Sequence, residues 1–589
     1  MSERPAPPQP SGRLLRGYGP LLAFAVLFVL MAAFVPSVGD EVRTVTVAGG
    51  GDPSGATGGA GDGQVATDPG LAGTGDATAG TGSAPAAPGS PQARRRSGSS
   101  PGGAAGGAAG SAAGPSAPAG GRTAPTGPVT RTAAVQPCAG RKVQVPNDPY
   151  SPPCTTFSGD NGGTTFRGVT ADTIVVSARF GGLPDFSQAP GDSGPGATFR
   201  IDPEEVRRTM LALTDYFNTR FQFYGRKLKL EFFEGKGDYI TELQGGGQEQ
   251  VEADAVKAAE EIKPFAEILG MTAPYGDALA RRGIVNFGAP YMSGEWMAER
   301  RPYVWSAATD CTFIQETVSD YVNKRIARRP ASHAGGALKG KPRTIAVIAP
   351  ENPWYQQCVD AGERVAKAAG NPNQARIAYK LDFGTLSNQA ASVIAKLRSE
   401  NITTVVCGCD PAFPIFLTAK AEEQGYQPEW IITGAAFVDV DVLGQLYQQD
   451  QWSRAFGVSF LGPMQPLRAS YGYNAFKAVR PNEEPSAFVD ILYYQMYMLA
   501  LGVQMAGPNL TPETFERGMY AYPGGSGPVG TWGFTPGRYT PTLDAREIYW
   551  DRNRTSVQNG EQGAYVDTDP GKRFRPGQWP TSDPAIPER

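Results

Sequence analysis

The chain has 589 residues, and its 75 Gly and 52 Pro indicate that a large part of it does not pack into a core. A formal net charge of only -3 leaves no broad basic field, which argues against nucleic-acid binding. The single histidine, His333, excludes most histidine-dependent catalytic triads, metal sites and proton shuttles, and no cofactor or metal is predicted.

The amino-terminal region carries a membrane signal. Basic residues precede an unbroken apolar run over residues 21–35, so this end is expected to stay in the cytoplasm. Two interpretations are open: a signal peptide cut after Ser37-Val38-Gly39, or an uncut anchor of about 18 residues that just crosses a bilayer. We favour the anchor, which predicts a single-pass protein of the cell membrane with its folded part outside.

Residues 39–137 are predicted to form a disordered linker. From Ala48 to about Pro137 the chain is mostly Gly, Ala, Pro, Ser and Thr, and so has too few large apolar side chains to form a core. Roughly 90 residues of this composition have a mean span of about 50 to 60 Å. Such a linker is long enough to carry a domain through a cell wall.

The six cysteines are typical of an oxidising compartment. Cys138 and Cys154 bracket a Pro-rich segment and are predicted to pair. Cys311, Cys358, Cys407 and Cys409 allow three pairings, and because a bridge within Cys407-Gly408-Cys409 is expected to be strained, cross-pairing between loops is predicted. A C-x-C redox site is the alternative.

From Gly168 onward, strand and helix patterns alternate, which predicts an α/β fold with parallel sheets. Thr173 to Ala178 is the first predicted strand. Asp202 and Pro203 are cap and first-turn residues of the following helix, whose apolar side chains recur at helical spacing. A second series of such units begins at Thr344, so the sequence predicts two similar lobes that bound a cleft.

The stretch Thr344 to Pro372 contains a candidate ligand loop. A buried strand, Ile345 to Ala349, is followed by Pro-Glu-Asn-Pro-Trp-Tyr and then by a helix. Loops at the carboxyl ends of parallel strands face the crevice where ligands bind. This loop has no glycine to wrap a pyrophosphate and offers aromatic rings, an amide and a carboxylate instead.

Three carboxyl-terminal segments complete the predicted fold. Residues 486–506 are apolar enough to resemble a membrane span, but Asp490, Gln495 and Gln504 favour a buried helix of a lobe. Residues 530–534 and 546–550 are predicted to form a closing hairpin. The polar, Pro-rich tail after it is predicted to be loose.

In this order and spacing, the motifs resemble type I periplasmic solute-binding proteins, in the branch that includes the branched-chain amino-acid-binding proteins. The resemblance covers Gly168 to about Trp550. The motifs that carry it are Val-Thr-Ala-Asp-Thr-Ile at 169–174, Tyr-Val-Trp at 303–305 with Thr309-Asp310, Gln-Gly-Tyr-Gln-Pro-Glu-Trp at 424–430, and Gly-Pro-Val-Gly-Thr-Trp-Gly-Phe at 527–534.

This resemblance implies two doubly wound parallel-sheet lobes that close over a small polar solute. It places the three crossings between lobes near residues 307–310, 457–463 and 527–531. With the amino-terminal features, it divides the chain into the following segments: 1–18, cytoplasmic; 19–38, transmembrane signal anchor; 39–137, linker; 138–165, cysteine-stapled lead-in; 166–308 and 462–526, lobe 1; 309–461 and 527–552, lobe 2; 553–589, tail.

The resemblance also implies a set of ligand-binding residues at strand ends: Phe180, Gly181, Thr272, Ala289, Tyr291, Trp354, Tyr355 and Asp410. In amino-acid binders of this type, a hydroxyl and backbone amides hold the carboxylate, roles that fall to Thr272 and to the amides of Ala289 and Tyr291. An acidic side chain meets the ammonium group, which is the role of Asp410.

Four of these residues also have a purely structural interpretation. Asp410 precedes Pro411 and is suited to cap the next helix. Trp354 and Tyr355, which the resemblance places over an apolar or cationic part of the ligand, are equally suited to anchor their loop, and Thr272 to sit in a turn. The Tyr-Gly common in the family is replaced by Tyr355-Gln356.

The function predicted is a membrane-tethered receptor that captures an amino acid, amide or small carboxylate by hinge closure, for an ABC-type importer with a permease partner. The alternative is a cell-surface interaction protein that keeps the fold without a transport ligand. An enzyme is not predicted, because the sequence has no G-x-S-x-G, H-E-x-x-H or P-loop motif.

Overall fold

A computed structural model describes Cys138 and residues 140–181 and 202–587. The predicted anchor and linker lie outside these residues. Among the residues that are described, no helix combines the length and the apolar character needed to cross a bilayer.

The first lobe is built on a parallel sheet of five strands in the order β2-β1-β3-β4-β5. Its strands are β1 (Thr173–Phe180), β2 (Lys227–Glu234), β3 (Ala266–Glu267), β4 (Val285–Phe287) and β5 (Val304–Trp305). The helices between them are α1 (Pro203–Arg220), α2 (Tyr239–Leu243), α3 (Gln248–Lys257), α4 (Ala273–Arg281) and α5 (Gly294–Glu299). As predicted, Asp202 caps α1 by accepting the Glu204 backbone N–H, and Pro203 lies in the first turn.

The second lobe has a sheet of seven strands in the order β14-β13-β10-β9-β8-β6-β7, where β13 is Arg546–Thr555 and β14 is Gln562–Asp567. Strands β6 to β10 are parallel. The parallel strands are β6 (Ile345–Pro350), β7 (Ala375–Tyr379), β8 (Thr404–Cys407), β9 (Glu429–Ile432) and β10 (Ala455–Ser459). The helices of this lobe are α6 (Cys311–Arg325), α7 (Pro353–Ala368), α8 (Leu386–Ser399), α9 (Phe413–Glu423), α10 (Asp441–Gly444) and α11 (Gln449–Trp452). These two lobes confirm the predicted α/β class with parallel sheets.

After β10 the chain returns to the first lobe and forms α12 (Tyr471–Lys477), α13 (Val489–Ala506) and α14 (Pro512–Tyr520). Most side chains of α13 are buried in the core cluster that also holds α1 and the first sheet. The prediction of a buried helix at 486–506 is therefore confirmed, since packing on several sides explains why its sequence is apolar all round.

The predictions of a closing hairpin and of a loose tail in the carboxyl-terminal region are both wrong. Residues 530–532 form β12 (Gly530–Trp532), which pairs with β11 (Gly525–Gly527) instead of with residues 546–550. The latter belong to β13 (Arg546–Thr555), which runs antiparallel to β10 and pairs with β14 (Gln562–Asp567). The third crossing between lobes accordingly falls between β12 and β13, later than expected.

The segment expected as a loose tail is also packed. Besides β14, it contributes the buried Trp579, whose ring lies 5.1 Å from that of Tyr321. Arg325 donates hydrogen bonds to the Ser582 carbonyl and hydroxyl. The composition of the tail alone indicates a coil. Strand pairing with β13 and ring contacts with the second lobe hold it in an ordered conformation.

Candidate functional site

The carboxyl ends of the parallel strands of both lobes lead to one cavity of about 570 Å³. This volume lies in the range of small-molecule sites, and a crevice at the carboxyl ends of parallel strands is where such folds bind ligands. The cavity is therefore the candidate solute site.

The wall on the first lobe comes from loops after β3 and β4, from α2, and from the start of α13. Tyr239, Ile240 and Leu243 of α2 line the cavity together with Tyr291 and Ile491. Helix α2 begins after Asp238, whose side chain accepts the Thr241 backbone N–H. A cap at this point positions the short helix so that its apolar face meets the cavity.

The wall on the second lobe includes the loop that the sequence indicated. Trp354 and Tyr355 lie in the first turn of α7, after Pro353, and both line the cavity. Their ring centroids are 6.0 Å apart at an angle of 66°. Gln356 donates a hydrogen bond to the Pro350 carbonyl at 2.7 Å, which ties the turn to the end of β6.

The two lobes touch across the cavity. The ring of Tyr291 in the first lobe meets that of Phe437 in the second, edge to face, with centroids 5.8 Å apart. The Ser293 hydroxyl donates to the Gln357 side-chain oxygen at 2.5 Å. These contacts connect the loop after β4 with α7 and with the loop after β9, so they close one side of the cavity.

Among the described residues of the cavity wall, three other than glycine have left-handed backbone: Tyr291 with φ 61°, Ala436 with φ 50° and Phe437 with φ 61°. Side chains with a Cβ adopt this region rarely, and such strain concentrates at ligand clamps. The strained residues include both rings of the contact between lobes.

The structure brings four of the eight predicted ligand residues to the cavity wall, namely Tyr291, Trp354, Tyr355 and Asp410. Phe180 is buried in the first core, where its ring packs against Phe232 and under Arg207. Gly181 approaches Gly235, and Ala289 is buried in the same core as Phe180. Thr272 is buried as well, and none of these four lies among the cavity-lining residues.

The hydroxyl of Thr272 is engaged within the protein. It donates to a carboxylate oxygen of Glu242 at 2.5 Å and accepts the Tyr275 backbone N–H, as the cap of α4. Glu242 in turn receives two hydrogen bonds from the buried guanidinium of Arg179, at 2.8 and 2.9 Å. This arrangement favours the structural interpretation of Thr272.

Asp410 both lines the cavity and holds the turn from which α9 begins. One oxygen accepts the backbone N–H groups of Ala412 and Phe413 at 2.8 and 3.1 Å, at the start of α9. The other accepts the Tyr379 hydroxyl at 2.5 Å. Burial raises the pKa of Asp410 above its usual value, against the opposing effect of these hydrogen bonds.

The disulfides correct one prediction. Cys138 and Cys154 pair as predicted, but Cys407 pairs with Cys409, and Cys311 with Cys358. Packing of α6 beside α7 brings the Cys311 and Cys358 Cα atoms to 5.5 Å, while the Cys407 and Cys409 Cα atoms are 5.1 Å apart, within the reach of a bridge. The prediction of cross-pairing between loops was wrong. The adjacent helices α6 and α7 place Cys311 beside Cys358, and Cys407 is left to pair with Cys409.

Cys311, Cys358 and Cys409 all lie on the cavity wall, so two disulfides form part of it. Between Cys407 and Cys409, a Cβ at Gly408 would lie 2.4 Å from the Gln315 side-chain nitrogen, so a larger residue there would displace the end of the Gln315 side chain. In the part of the chain that the structure describes, no group of His, Cys, Asp and Glu side chains is arranged to hold a metal ion.

Sequence reasoning missed α2, the loop after β9 and the start of α13 as parts of the wall. One signal was present in the sequence. Asp238 precedes Tyr239, Ile240 and Leu243, a helix cap followed by apolar residues at helical spacing. The exposure of Ile491, 38%, is seen only in the structure, where α13 is apolar on its cavity side as well as on its core side.

A family model described as Periplasmic binding protein matches residues 191–553. The match spans more than half of the chain, and the chain therefore belongs to the type I periplasmic binding protein family, as the sequence motifs predicted. No curated protein matches the sequence.

Solved structures similar to this chain include three substrate-binding or solute-binding proteins. One is the branched-chain amino acid transporter substrate binding protein LivJ from Streptococcus pneumoniae in complex with isoleucine, at 13% identity, over 67% of this chain and 100% of that chain, with a TM-score of 0.44. A fatty acid ABC transporter substrate-binding protein from Thermomonospora curvata has 13% identity over 70% and 95% of the chains and a TM-score of 0.47. A solute binding protein from Rhodopseudomonas palustris HaA2 in complex with p-hydroxybenzoic acid has 12% identity over 69% and 98% of the chains and a TM-score of 0.47.

Members of this family bind solutes and are not enzymes, in agreement with the prediction that the chain is not an enzyme. Solute binding, in general terms, is therefore the function of the class to which the chain belongs.

Proposed function

We propose that this protein is a membrane-tethered, extracytoplasmic receptor that captures a small molecule between its two lobes and delivers it to an ABC-type importer. The observation that carries the proposal is the cavity of about 570 Å³, whose wall takes residues from both lobes and from the segments that connect them. A solute in that position contacts both lobes at once.

Capture follows from the position of the cavity. A solute held between two lobes makes its full set of contacts only when they are closed, so it shifts an open-closed equilibrium by its difference in affinity for the two states. The Tyr291–Phe437 ring contact and the Ser293–Gln357 hydrogen bond are made between lobes and belong to the closed arrangement.

The tether is proposed from residues 19–38 as an anchor and 39–137 as a linker, both outside the described residues. Three disulfides support a location outside the cytoplasm, because disulfides persist in oxidising compartments. Delivery to a permease is proposed because the anchor keeps the receptor at the membrane where an importer lies.

Differential scanning fluorimetry of the full chain tests the proposal. We expect at least one solute, from a panel of amino acids, amides, small carboxylates and apolar molecules, to raise the melting temperature. At a hundred times the dissociation constant the added stability is about 2.7 kcal/mol. If no solute in the panel stabilises the protein, the capture function is wrong and the interaction protein of the alternative hypothesis takes its place.

A pair of variants separates closure from general stability. Phe437→Ala removes the ring contact between lobes and is expected to reduce the stabilisation that solute gives. Phe157→Ala is the matched control, because Phe157 is also half-buried and also meets a tyrosine ring edge to face, at 5.2 Å from Tyr224, but away from the cavity. An equal loss of solute-induced stabilisation in both variants would contradict capture by closure.

A further inference from the structure

The cavity wall is dominated by aliphatic and aromatic side chains from both lobes. Examples from four segments, which belong to both lobes, are Leu269, Leu381, Phe383, Phe460, Phe488 and Leu492. Apolar surface that a ligand buries against such a wall contributes about 25 cal/mol per Å². A ligand in this cavity therefore gains more binding free energy from buried apolar surface than from hydrogen bonds.

The wall offers little to a charged ligand. Among its described lining residues there is no Lys, Arg or His, and the carboxylates are those of Glu242 and Asp410. Glu242 is already paired with Arg179 and Thr272, and each oxygen of Asp410 already accepts a hydrogen bond. Transfer of an unpaired charge from water to such a site is strongly unfavourable.

The polar side chains left on the wall include neutral donors and acceptors. Tyr239, Tyr291 and Tyr355 line the cavity together. Burial raises the pKa of Tyr239 to about 12, with a smaller contribution from the charge of Glu242, and burial raises the pKa values of Tyr291 and Tyr355 as well. Their hydroxyls are protonated at neutral pH and suit one uncharged polar group on a ligand.

We propose that the solute is an uncharged and largely apolar molecule with at most one neutral polar end, of the chemical class of long-chain alcohols and esters, and that it is not a free amino acid. This inference rests on the proposed capture function and names its ligand class. It replaces the amino acid, amide or small carboxylate that the sequence resemblance implies, because Thr272 does not line the cavity and the carboxylate of Asp410 is occupied within the protein.

Displacement of a fluorescent probe from the full-length protein tests the proposal, with competitors that share one alkyl chain length and differ in the charge of the head group, and with a free amino acid. The fluorescent probe is N-phenyl-1-naphthylamine, which is neutral and apolar, and the competitors are dodecan-1-ol, dodecanoate, dodecylammonium and leucine. We expect dodecan-1-ol to displace the probe at a concentration at least tenfold lower than either charged homologue, and leucine not to displace it. If a charged homologue or leucine binds as tightly as the alcohol, the ligand class is wrong while the capture function stands.

Two variants place the binding in the cavity. Ile491→Asp adds a carboxylate to the wall at a residue that is 38% exposed, so the substitution does not bury a charge in the core. Leu211→Asp is the matched control, at a residue of α1 that is 45% exposed and away from the cavity. We expect the first variant to weaken dodecan-1-ol binding at least tenfold and the second to leave it unchanged.

The outcomes separate the two proposals. Equal binding of the alcohol by wild type and Ile491→Asp would mean that it binds elsewhere, which overturns the apolar ligand class. If none of the competitors binds and no solute of the fluorimetry panel stabilises the protein, the capture function fails together with the ligand class that rests on it.

Discussion

The two lobes support the same cavity with different chemistry. In the first lobe, a buried ion-pair cluster lies at the carboxyl end of β1, where Arg179 meets Glu242 at 2.8 Å and Asp254 at 3.2 Å. In the second lobe, the cavity side is held by the Cys311–Cys358 and Cys407–Cys409 disulfides. The buried Arg343–Glu429 pair of that lobe lies at the opposite edge of the sheet, beside the first residues of β6 and β9.

The comparison shows that the position of an ion pair or disulfide, and not its chemical type, decides whether it supports the cavity. Asp254 also accepts the backbone N–H groups of Lys236 and Gly237, so the cluster around Arg179 holds the loop that leads into α2. Arg343 and Glu429 connect strand ends that are far from the cavity. Similar ion pairs therefore have different expected effects on binding.

The largest effect is expected for Arg179→Ala. It leaves two buried carboxylates without their cation, and the loss of one partner of a buried pair costs about 3 to 5 kcal/mol, with the upper end expected here. Urea unfolding measures this loss. Probe binding should also weaken, because α2 loses the contact that positions it.

Arg343→Ala is the control for that comparison. It removes a buried partner of Glu429 and is expected to destabilise the protein by a similar amount. Binding of N-phenyl-1-naphthylamine should stay at the wild-type level under conditions where the variant is folded. Weaker binding in both variants would show that the distinction between the two edges of the sheets is wrong.

Removal of the disulfides comes next in size. Cys311 and Cys358 are 47 residues apart, and the loop-closure relation gives about 4 kcal/mol for loss of this bridge in a Cys311→Ala, Cys358→Ala double variant. Cys407 and Cys409 are two residues apart, for which the same relation gives about 1 kcal/mol. Denaturant unfolding of the two double variants measures the two losses of unfolding free energy. Equal losses would contradict the explanation that the disulfides stabilise by reducing the entropy of the unfolded chain.

The smallest effect is expected for Asp439→Asn, in the loop after β9. Burial raises the pKa of Asp439, and of its two oxygens Oδ2 accepts the Ser459 hydroxyl, while Oδ1 has no hydrogen-bond partner among the described residues. The unfolded carboxyl has a pKa of about 3.9. The folded state therefore binds the proton more tightly, and stability falls as the pH rises from about 4 through the raised value.

Asparagine does not titrate, so the variant does not lose stability in this way as the pH rises. We expect the melting temperature of Asp439→Asn relative to wild type to rise between pH 4 and pH 8. Asp160→Asn, at an exposed residue, serves as the control for the effect of an Asp to Asn substitution as such. A difference that falls with pH for Asp439→Asn would contradict the sign of the pKa shift.

Much of the fold was predictable from local patterns. The strand–helix alternation from Gly168, the Asp202 cap and the motif at residues 527–534 all identify the class of protein. The ligand residues were predictable only in part. Trp354 and Tyr355 follow directly on a buried strand and line the cavity, whereas Thr272 occupies the matching place after β3 and is turned to Glu242.

The alternation of strands and helices, the helix caps and the family can all be inferred from the sequence, because they depend on the spacing of residues that are near one another in the chain. The pairing of Cys311 with Cys358, the packing of the tail and the apolar character of the cavity come from the three-dimensional arrangement. Each of these depends on which segments far apart in sequence become neighbours. Whether a polar side chain serves a ligand or its own protein is decided by those neighbours, as the partners of Thr272 and Asp410 illustrate.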